Sequence, residues 1–173
     1  MKIILSLILV SVILSYSDYS YGDGDHMHKE VMQVEQNAGI CPVLHEPASK
    51  EYSYVYEGKT YYFCCAMCVE EFKKDPQKYI SKIKEIKSEA YQFGFSPDPV
   101  VVKKGDIVKL VITSRDVTHG VYIKEYGINV TVTKQEAKKI EFFADKAGKF
   151  DIVCSVYCGK GHSSMKGKLI VEE

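Results

Sequence analysis

The sequence Cys154-Ser-Val-Tyr-Cys158-Gly-Lys-Gly-His162-Ser-Ser-Met165 gives the strongest indication of structure and chemistry in this 173-residue chain. It contains two thiols, an imidazole and a thioether at successive spacings of four, four and three residues. Thiolate and thioether sulfur are soft ligands that suit Cu(I), and imidazole is also a good copper ligand. A fifth candidate ligand, His119, lies upstream in Asp116-Val-Thr-His119-Gly. The pattern predicts a metal site for redox chemistry rather than hydrolysis.

The composition argues against a nucleic-acid partner. The chain has 23 Lys and Arg residues and 23 Asp and Glu residues, so its formal net charge is zero. No basic excess is available to neutralise phosphates, and we therefore expect no nucleic acid to bind. The length fits one or two small domains.

Residues 1–22 are typical of an export signal peptide. Lys2 precedes about a dozen mostly apolar residues, fewer than the ~20 that a membrane-spanning helix needs. Cleavage is expected between Ser15 and Gly22, and an uncleaved N-terminal anchor is the alternative. We therefore expect an exported protein, in the periplasm or at the outer face of the cytoplasmic membrane. Residues 23–40 are predicted to form a flexible leader, in which three residues are weak candidates for capturing copper: His26, Met27 and His28.

Residues 41–81 are predicted to form a small α+β module. Two aromatic runs flank Glu57-Gly58-Lys59, and the glycine favours a turn, so residues 51–64 are expected to form a hairpin. Residues 66–74 suit a short helix, and Asp75-Pro76 is typical of the start of another. Tyr79, Ile80, Ile83 and Ile86 recur at helical spacing, which predicts a helical linker over residues 82–90.

Residues 91–173 contain many short β runs separated by turn sequences. Strands are expected over residues 91–95, 100–103, 107–113, 121–124, 128–133, 139–143, 150–154 and 167–172. Within 107–113, Val108, Leu110 and Ile112 fall on one face. Many short strands at this spacing indicate a small sandwich or barrel, so the protein is predicted to be mainly β.

The C-terminal ligand set allows four arrangements. In the first, two copper ions share both thiolates, and every candidate ligand is used. The unpaired electron is then shared by both ions, so gain or loss of one electron changes the geometry of the site little. A mononuclear blue-copper centre uses one Cys, two His and an axial Met, which leaves Cys154 idle. A tetrahedral zinc site leaves Met165 unexplained. A Cys154–Cys158 disulfide is the fourth arrangement.

The spacing and order of these candidate ligands resemble those of a known family. Cys154-x3-Cys158-x3-His162-x2-Met165, with the upstream His119, resembles the dinuclear copper-A (CuA) centre of cytochrome c oxidase subunit II, and nitrous oxide reductase carries a similar centre. The similarity covers residues 90–173. It implies a cupredoxin-like Greek-key β-sandwich over residues 91–173 that binds two copper ions. It also implies the ligand set: His119, Cys154, Cys158, His162, Met165 and the main-chain oxygen of Val156.

This resemblance implies one-electron transfer linked to a respiratory oxidase or reductase, rather than a stand-alone enzyme. The expected partner is a redox protein such as a c-type cytochrome or a terminal oxidase, including one bound to a membrane. Several family members take up electrons through an exposed Trp, which this chain lacks. Four tyrosines are candidates to replace it: Tyr91, Tyr122, Tyr126 and Tyr157. Because no apolar run of about 20 residues is present, the sequence favours a copper-A protein outside the membrane.

The predicted module of residues 41–81 also resembles a known family. Phe63-Cys-Cys-Ala-Met-Cys68, followed by Glu71-Phe-Lys-Lys-Asp-Pro-Gln-Lys-Tyr79, resembles the YHS domain, which is akin to the TRASH heavy-metal-binding motif. Soft thiolates near a helix N-terminus suit Cu(I) or Zn(II). A structural disulfide and a Cys65–Cys68 redox pair are alternatives. The candidate ligands of this second site are Cys41, Cys64, Cys65 and Cys68.

Two further functions stay open. In the first, the protein handles copper: the module captures Cu(I), and the second domain stores, senses or delivers it. In the second, the protein is an enzyme whose thiols keep copper-site cysteines reduced.

Overall fold

A computed structural model describes residues 39–173 of the chain, which contain eleven strands and two α-helices. The predicted signal peptide and His26, Met27 and His28 of the leader lie outside the described residues. The helices are α1 (Ala66–Lys74) and α2 (Pro76–Ile80). The strands are β1 (Ser49–Tyr56), β2 (Lys59–Phe63), β3 (Ile83–Tyr91), β4 (Gly94–Ser96), β5 (Val100–Lys103), β6 (Ile107–Ser114), β7 (His119–Ile123), β8 (Ile128–Val132), β9 (Lys138–Phe143), β10 (Gly148–Val153) and β11 (Lys166–Glu172).

The N-terminal module consists of the β1–β2 hairpin and the two helices. The strands are antiparallel, and Gly58 takes a positive φ of 74° in the turn between them, as the sequence predicted. Phe72 of α1 is fully buried. Five aromatic rings surround it: Tyr54, Tyr56, Tyr61, Phe63 and Tyr79. The start of α2 is also as predicted, because the Asp75 carboxylate accepts a hydrogen bond from the backbone N–H of Lys78.

The predicted helical linker over residues 82–90 is wrong. Helix α2 ends at Ile80, and β3 then pairs in parallel with β6, from Ile83 opposite Ile107 to Ala90 opposite Ser114. The apolar spacing of this segment fits a helix, but eight residues of non-local strand pairing take up its backbone hydrogen-bonding groups instead. The single strand predicted over residues 91–95 is likewise interrupted, because β3 and β4 form a hairpin across Gln92 and Phe93.

Two sheets form a β-sandwich. One has the strand order β5-β11-β10-β7-β8, and the other has the order β4-β3-β6-β9. Val108, Leu110 and Ile112 of β6 are buried between the sheets, as the alternation predicted. The protein is thus mainly β, a cupredoxin-like Greek-key sandwich preceded by a small α+β module.

The module and the candidate copper ligands lie at opposite ends of β6. At the start of β6, the backbone N–H of Ile107 donates to the Lys82 carbonyl, and the His45 ring stacks on Phe143 with centroids 3.8 Å apart. His119 follows the other end of β6 and opens β7. Eight residues of strand span about 26 Å. Within residues 39–173, no helix is both long and apolar enough to cross a bilayer.

Candidate metal centre

Loops at one end of the sandwich bring together all the ligands that the sequence predicted for copper. His119 is the first residue of β7, and Cys154 directly follows β10. Cys158 and His162 lie in the loop between β10 and β11, and Met165 immediately precedes β11. Strands β10 and β11, which are neighbours in the five-stranded sheet, therefore fix both ends of the ligand loop.

The two thiols lie at the centre of this group. Their Sγ atoms are 3.7 Å apart, well beyond the length of a disulfide bond of about 2.05 Å. A metal ion at about 2.3 Å from each sulfur would fit this spacing. The Cys154 Sγ lies 3.9 Å from Nδ1 of His119 and 3.0 Å from the carbonyl oxygen of Val156.

The second thiol has a similar set of neighbours. The Cys158 Sγ lies 3.7 Å from Nδ1 of His162 and 3.6 Å from the Met165 sulfur. Each thiol thus has one imidazole nitrogen and one weaker donor beside it. This donor set of two thiols, two imidazoles, a thioether and a carbonyl fits two copper ions, and it leaves no predicted ligand unused.

Because the site is buried, ionisation of its thiols is unfavourable unless a cation is bound nearby. His119 is fully buried, Met165 is 1% exposed, and both thiols are buried. Burial and the neighbouring Cys154 thiol raise the pKa of Cys158 to about 11. Metal binding requires the thiolate form, so a bound cation would compensate this cost.

Asp116 orients His119, a role that the sequence did not reveal. Its carboxylate lies 2.6 Å from Nε2 of His119 and also accepts hydrogen bonds from the backbone N–H groups of Gln92 and Val117. Although burial raises the pKa of Asp116, these hydrogen bonds lower it to about 2. The carboxylate is therefore ionised and leaves Nδ1 of the ring free to face Cys154. Its position three residues before His119 is the signal that could have identified it.

Gly120 and Gln92 support the ligand loop, and neither was predicted. The Gly120 N–H donates to Cys154 Sγ at 3.4 Å. A Cβ at Gly120 would lie 2.6 Å from the backbone nitrogen of Ser155, so no side chain fits there. The Gln92 side-chain amide donates to the carbonyl oxygen of Cys158.

Two exposed aromatic side chains border the ligand loop. Tyr157 is 74% exposed, and its ring lies 5.7 Å from that of His162. Phe93 is 40% exposed and covers Gly161, where a Cβ would come within 2.6 Å of the ring. Among the four tyrosines that the sequence suggested, Tyr157 lies beside a candidate ligand, whereas Tyr126 packs against core aromatics.

The module brings together the second set of cysteines. The sulfurs of Cys41, Cys64 and Cys68 lie within 4.8 Å of one another. The Cys65 sulfur is 3.5 Å from that of Cys68 and 4.0 Å from that of Cys64. All four are free thiols in the structure.

Two of these four thiols hold a negative charge more readily than an ordinary cysteine. Burial raises the pKa of Cys41, but hydrogen bonds with backbone groups, first that of Leu44, outweigh burial and lower it. A backbone hydrogen bond with Cys68 lowers the pKa of Cys65. Burial raises the pKa values of Cys64 and Cys68. A soft cation would favour the thiolate form of all four.

Comparison with known proteins agrees with both halves of this description. Residues 41–82 match the YHS domain family. Cytochrome c oxidase subunit 2 of Thermus thermophilus is 37% identical over 84 residues, which cover 49% of this chain and 62% of that protein. Nitrous-oxide reductase of Ralstonia nicotianae is 41% identical over 75 residues, which cover 41% of this chain and 12% of that protein.

A crystal structure of the periplasmic domain of subunit II of cytochrome oxidase of Bradyrhizobium japonicum is similar at 22% identity with a TM-score of 0.49, over 52% of this chain and 84% of that one. The chain spans less than two thirds of the length of either sequence relative. The C-terminal half of this protein resembles the copper-A cupredoxin domain shared by cytochrome c oxidase subunit II and nitrous oxide reductase, and residues 41–82 resemble a YHS domain.

Proposed function

We propose that this protein transfers single electrons through a dinuclear copper-A centre and serves a respiratory oxidase or reductase. The observation that carries the proposal is the pair of thiols 3.7 Å apart, each beside one imidazole nitrogen. Copper supplies one-electron redox chemistry when bound there. The groups that would hold two copper ions are His119, Cys154, the Val156 carbonyl, Cys158, His162 and Met165.

The chain itself keeps most of these side chains fixed and buried: His119, both thiols and Met165 are buried, and His162 is half-buried. Asp116 holds His119 through the ring nitrogen Nε2, and the Cys154 sulfur accepts a hydrogen bond from the Gly120 N–H. Met165 is buried against the core beneath Cys158. Ligands that are fixed before loading need to move little when the charge of the site changes, which suits electron transfer.

Electrons would enter and leave at the exposed aromatic surface beside the ligand loop. Tyr157 lies next to His162, and Phe93 lies against the backbone of Gly161. A partner that contacts either ring would come close to the copper ligands. We propose a c-type cytochrome or a terminal oxidase as this partner, at the outer face of the cytoplasmic membrane, where the export-like sequence of residues 1–22 would direct the chain.

Copper loading and electron exchange test this function together. The full chain would carry Cys64→Ser and Cys68→Ser, so that the metal count refers to the C-terminal site. We expect two copper ions per chain and reduction of the loaded protein by a reduced c-type cytochrome. Addition of Cys154→Ser should abolish both results. A loaded protein that binds two copper ions but accepts no electron from the cytochrome or from a small-molecule reductant contradicts the proposal.

The module supports a second candidate function, the capture and delivery of Cu(I). The four clustered thiols, two of which have lowered pKa values, are the observation that favours it. Transfer of Cu(I) from the protein to an acceptor should be lost on Cys64→Ser or Cys68→Ser. Transfer that survives both substitutions contradicts this second function.

A further inference from the structure

We propose that Gln92 is a positioning residue of the copper-A site: it joins the loop that leads to His119 to the loop that carries Cys158, and its side-chain amide raises the reduction potential. The part that concerns the potential rests on the proposed function, because a potential exists only with copper bound. The junction between the two loops can be measured without copper.

The backbone of Gln92 is linked to the loop between β6 and β7. Its N–H donates to Oδ2 of Asp116 at 2.7 Å, and Oδ1 of the same carboxylate lies 2.6 Å from Nε2 of His119. Hydrogen bonds lower the pKa of Asp116 to about 2, so both oxygens are free to accept. One carboxylate therefore connects the Gln92 backbone to a candidate copper ligand.

The side chain of Gln92 is linked to the ligand loop, between β10 and β11. Its amide nitrogen, Nε2, donates to the carbonyl oxygen of Cys158. Although the residue as a whole is exposed, its amide lies against this loop, because a Cβ at Gly159 would come within 2.9 Å of Nε2. The ring of Phe93 lies over Gly161 in the same way. Two glycines thus leave room for Gln92 and Phe93 to lie directly on the loop.

The sheet itself joins these two loops at few points. Within residues 39–173, the register of β7 with β10 consists of one pair, Val153 opposite Tyr122. Gln92 belongs to the turn between β3 and β4, which lie in the other sheet. Its two hydrogen bonds therefore add a connection from outside the five-stranded sheet, and this connection reaches both loops.

The amide of Gln92 also places a partial positive charge beside the ligand loop, because an N–H group points its positive end at the acceptor. Uptake of one electron makes the copper-A site more negative by one charge. A positive dipole end nearby stabilises the reduced state more than the oxidised state. Hydrogen bonding around a cysteine ligand is one of the features that tune copper potentials. Loss of the amide should therefore lower the potential.

Voltammetry of copper-loaded variants tests the effect on the potential. The full chain with Cys64→Ser and Cys68→Ser provides the background, and Gln92→Met and Gln92→Glu keep the side-chain length. In Gln92→Met, the equilibrium constant for reduction should fall by roughly three- to tenfold, where tenfold corresponds to about 59 mV. Gln92→Glu should lower it further, because its carboxylate adds a negative charge. A role in packing alone predicts equal shifts in the two variants.

Hydrogen exchange in the copper-free background protein tests the junction. The backbone N–H groups of His162 and Met165 form hydrogen bonds inside the ligand loop. In Gln92→Met, we expect them to exchange about two- to tenfold faster, which is the effect of losing one hydrogen bond that holds the loop. Near-UV circular dichroism should show that both Gln92 variants are folded.

Gln77→Glu is the matched control, because it makes the same change of charge at an exposed position of α2, in the module. It should alter neither the potential nor the exchange rates. Three results overturn the proposal: equal potentials in the background protein and Gln92→Met, unaltered exchange in Gln92→Met, or a shift in Gln77→Glu equal to that in Gln92→Glu.

These results differ from a failure of the proposed function. A background protein that binds two copper ions and exchanges electrons, but whose potential is insensitive to Gln92, overturns this inference and leaves electron transfer standing. A background protein that does not bind two copper ions contradicts electron transfer at a copper-A centre. Hydrogen exchange in the copper-free chain then still decides whether Gln92 joins the two loops.

Discussion

The Asp116 carboxylate lies 2.6 Å from Nε2 of His119, so the opposite ring nitrogen, Nδ1, faces the sulfur of Cys154. The same carboxylate accepts backbone hydrogen bonds from Gln92, at the β3–β4 turn, and from Val117, just before β7. One acidic side chain therefore ties two loops to a candidate copper ligand.

Asp116→Ala should weaken copper binding at the C-terminal site by about 10- to 100-fold while leaving the fold intact. The variant removes the group that orients His119, although it removes no ligand. Copper competition titration measures the change. Asp151→Ala is the matched control, because Asp151 forms an exposed ion pair with Lys168 and should not affect copper. Unaltered affinity in Asp116→Ala contradicts the orienting role.

Gly120→Ala should damage the copper site, because the added Cβ would lie 2.6 Å from the Ser155 nitrogen and push the ligand loop away. We expect a loss of unfolding free energy of about 1–3 kcal/mol, with reduced copper affinity. Gly127→Ala is the control: its Cβ meets nothing within 4 Å, but its φ of +64° costs about 1–2 kcal/mol. It should lower stability without changing copper binding. If both variants bind copper normally, the close contact is unimportant.

Met165→Leu should keep both copper ions but shift the reduction potential. The two side chains have similar volumes, so the buried position beneath Cys158 stays filled, while the weak sulfur ligand is lost. Voltammetry of the loaded protein measures the shift, and metal analysis checks that the copper content is unchanged. A potential equal to that of the original protein indicates that the Met165 sulfur is not a ligand.

Tyr157→Ala should slow electron exchange with a c-type cytochrome without altering the visible spectrum of the copper site. Tyr157 is exposed beside His162, so its removal takes away partner contact but no ligand. Stopped-flow mixing measures the rate. Val101→Ala, an exposed apolar residue on β5, is the control and should not change it. Equal rates for Tyr157→Ala and the original protein place the partner elsewhere.

Phe72→Ala should destabilise the module by about 3–5 kcal/mol, because it removes a fully buried ring that five other aromatic rings contact. Thermal unfolding followed by near-UV circular dichroism, which reports the tyrosine environment, measures the loss. Val55→Ala, at an exposed position of the same hairpin, should change stability by no more than about 0.5 kcal/mol. Similar losses in the two variants would show that the aromatic cluster is not the core of the module.

Local pattern and spacing were enough to predict most strands and the grouping of the candidate ligands. The alternation of Val108, Leu110 and Ile112 identified a core strand because a strand shows one face to the core. Ile83 and Ile86 misled the prediction, because a spacing of three residues suits a helix and the pairing partner, β6, lies more than 20 residues away. The spacing of Asp116, three residues before His119, could have identified its role. The roles of Gly120 and Gln92 depend on which loops meet in space, and sequence spacing does not report this.

Electron paramagnetic resonance of the copper-loaded protein with Cys64→Ser and Cys68→Ser tests the central claim most directly. The shared-thiolate centre predicts a hyperfine pattern from one unpaired electron that couples equally to two copper nuclei. A pattern from a single copper nucleus in the fully loaded protein would contradict it.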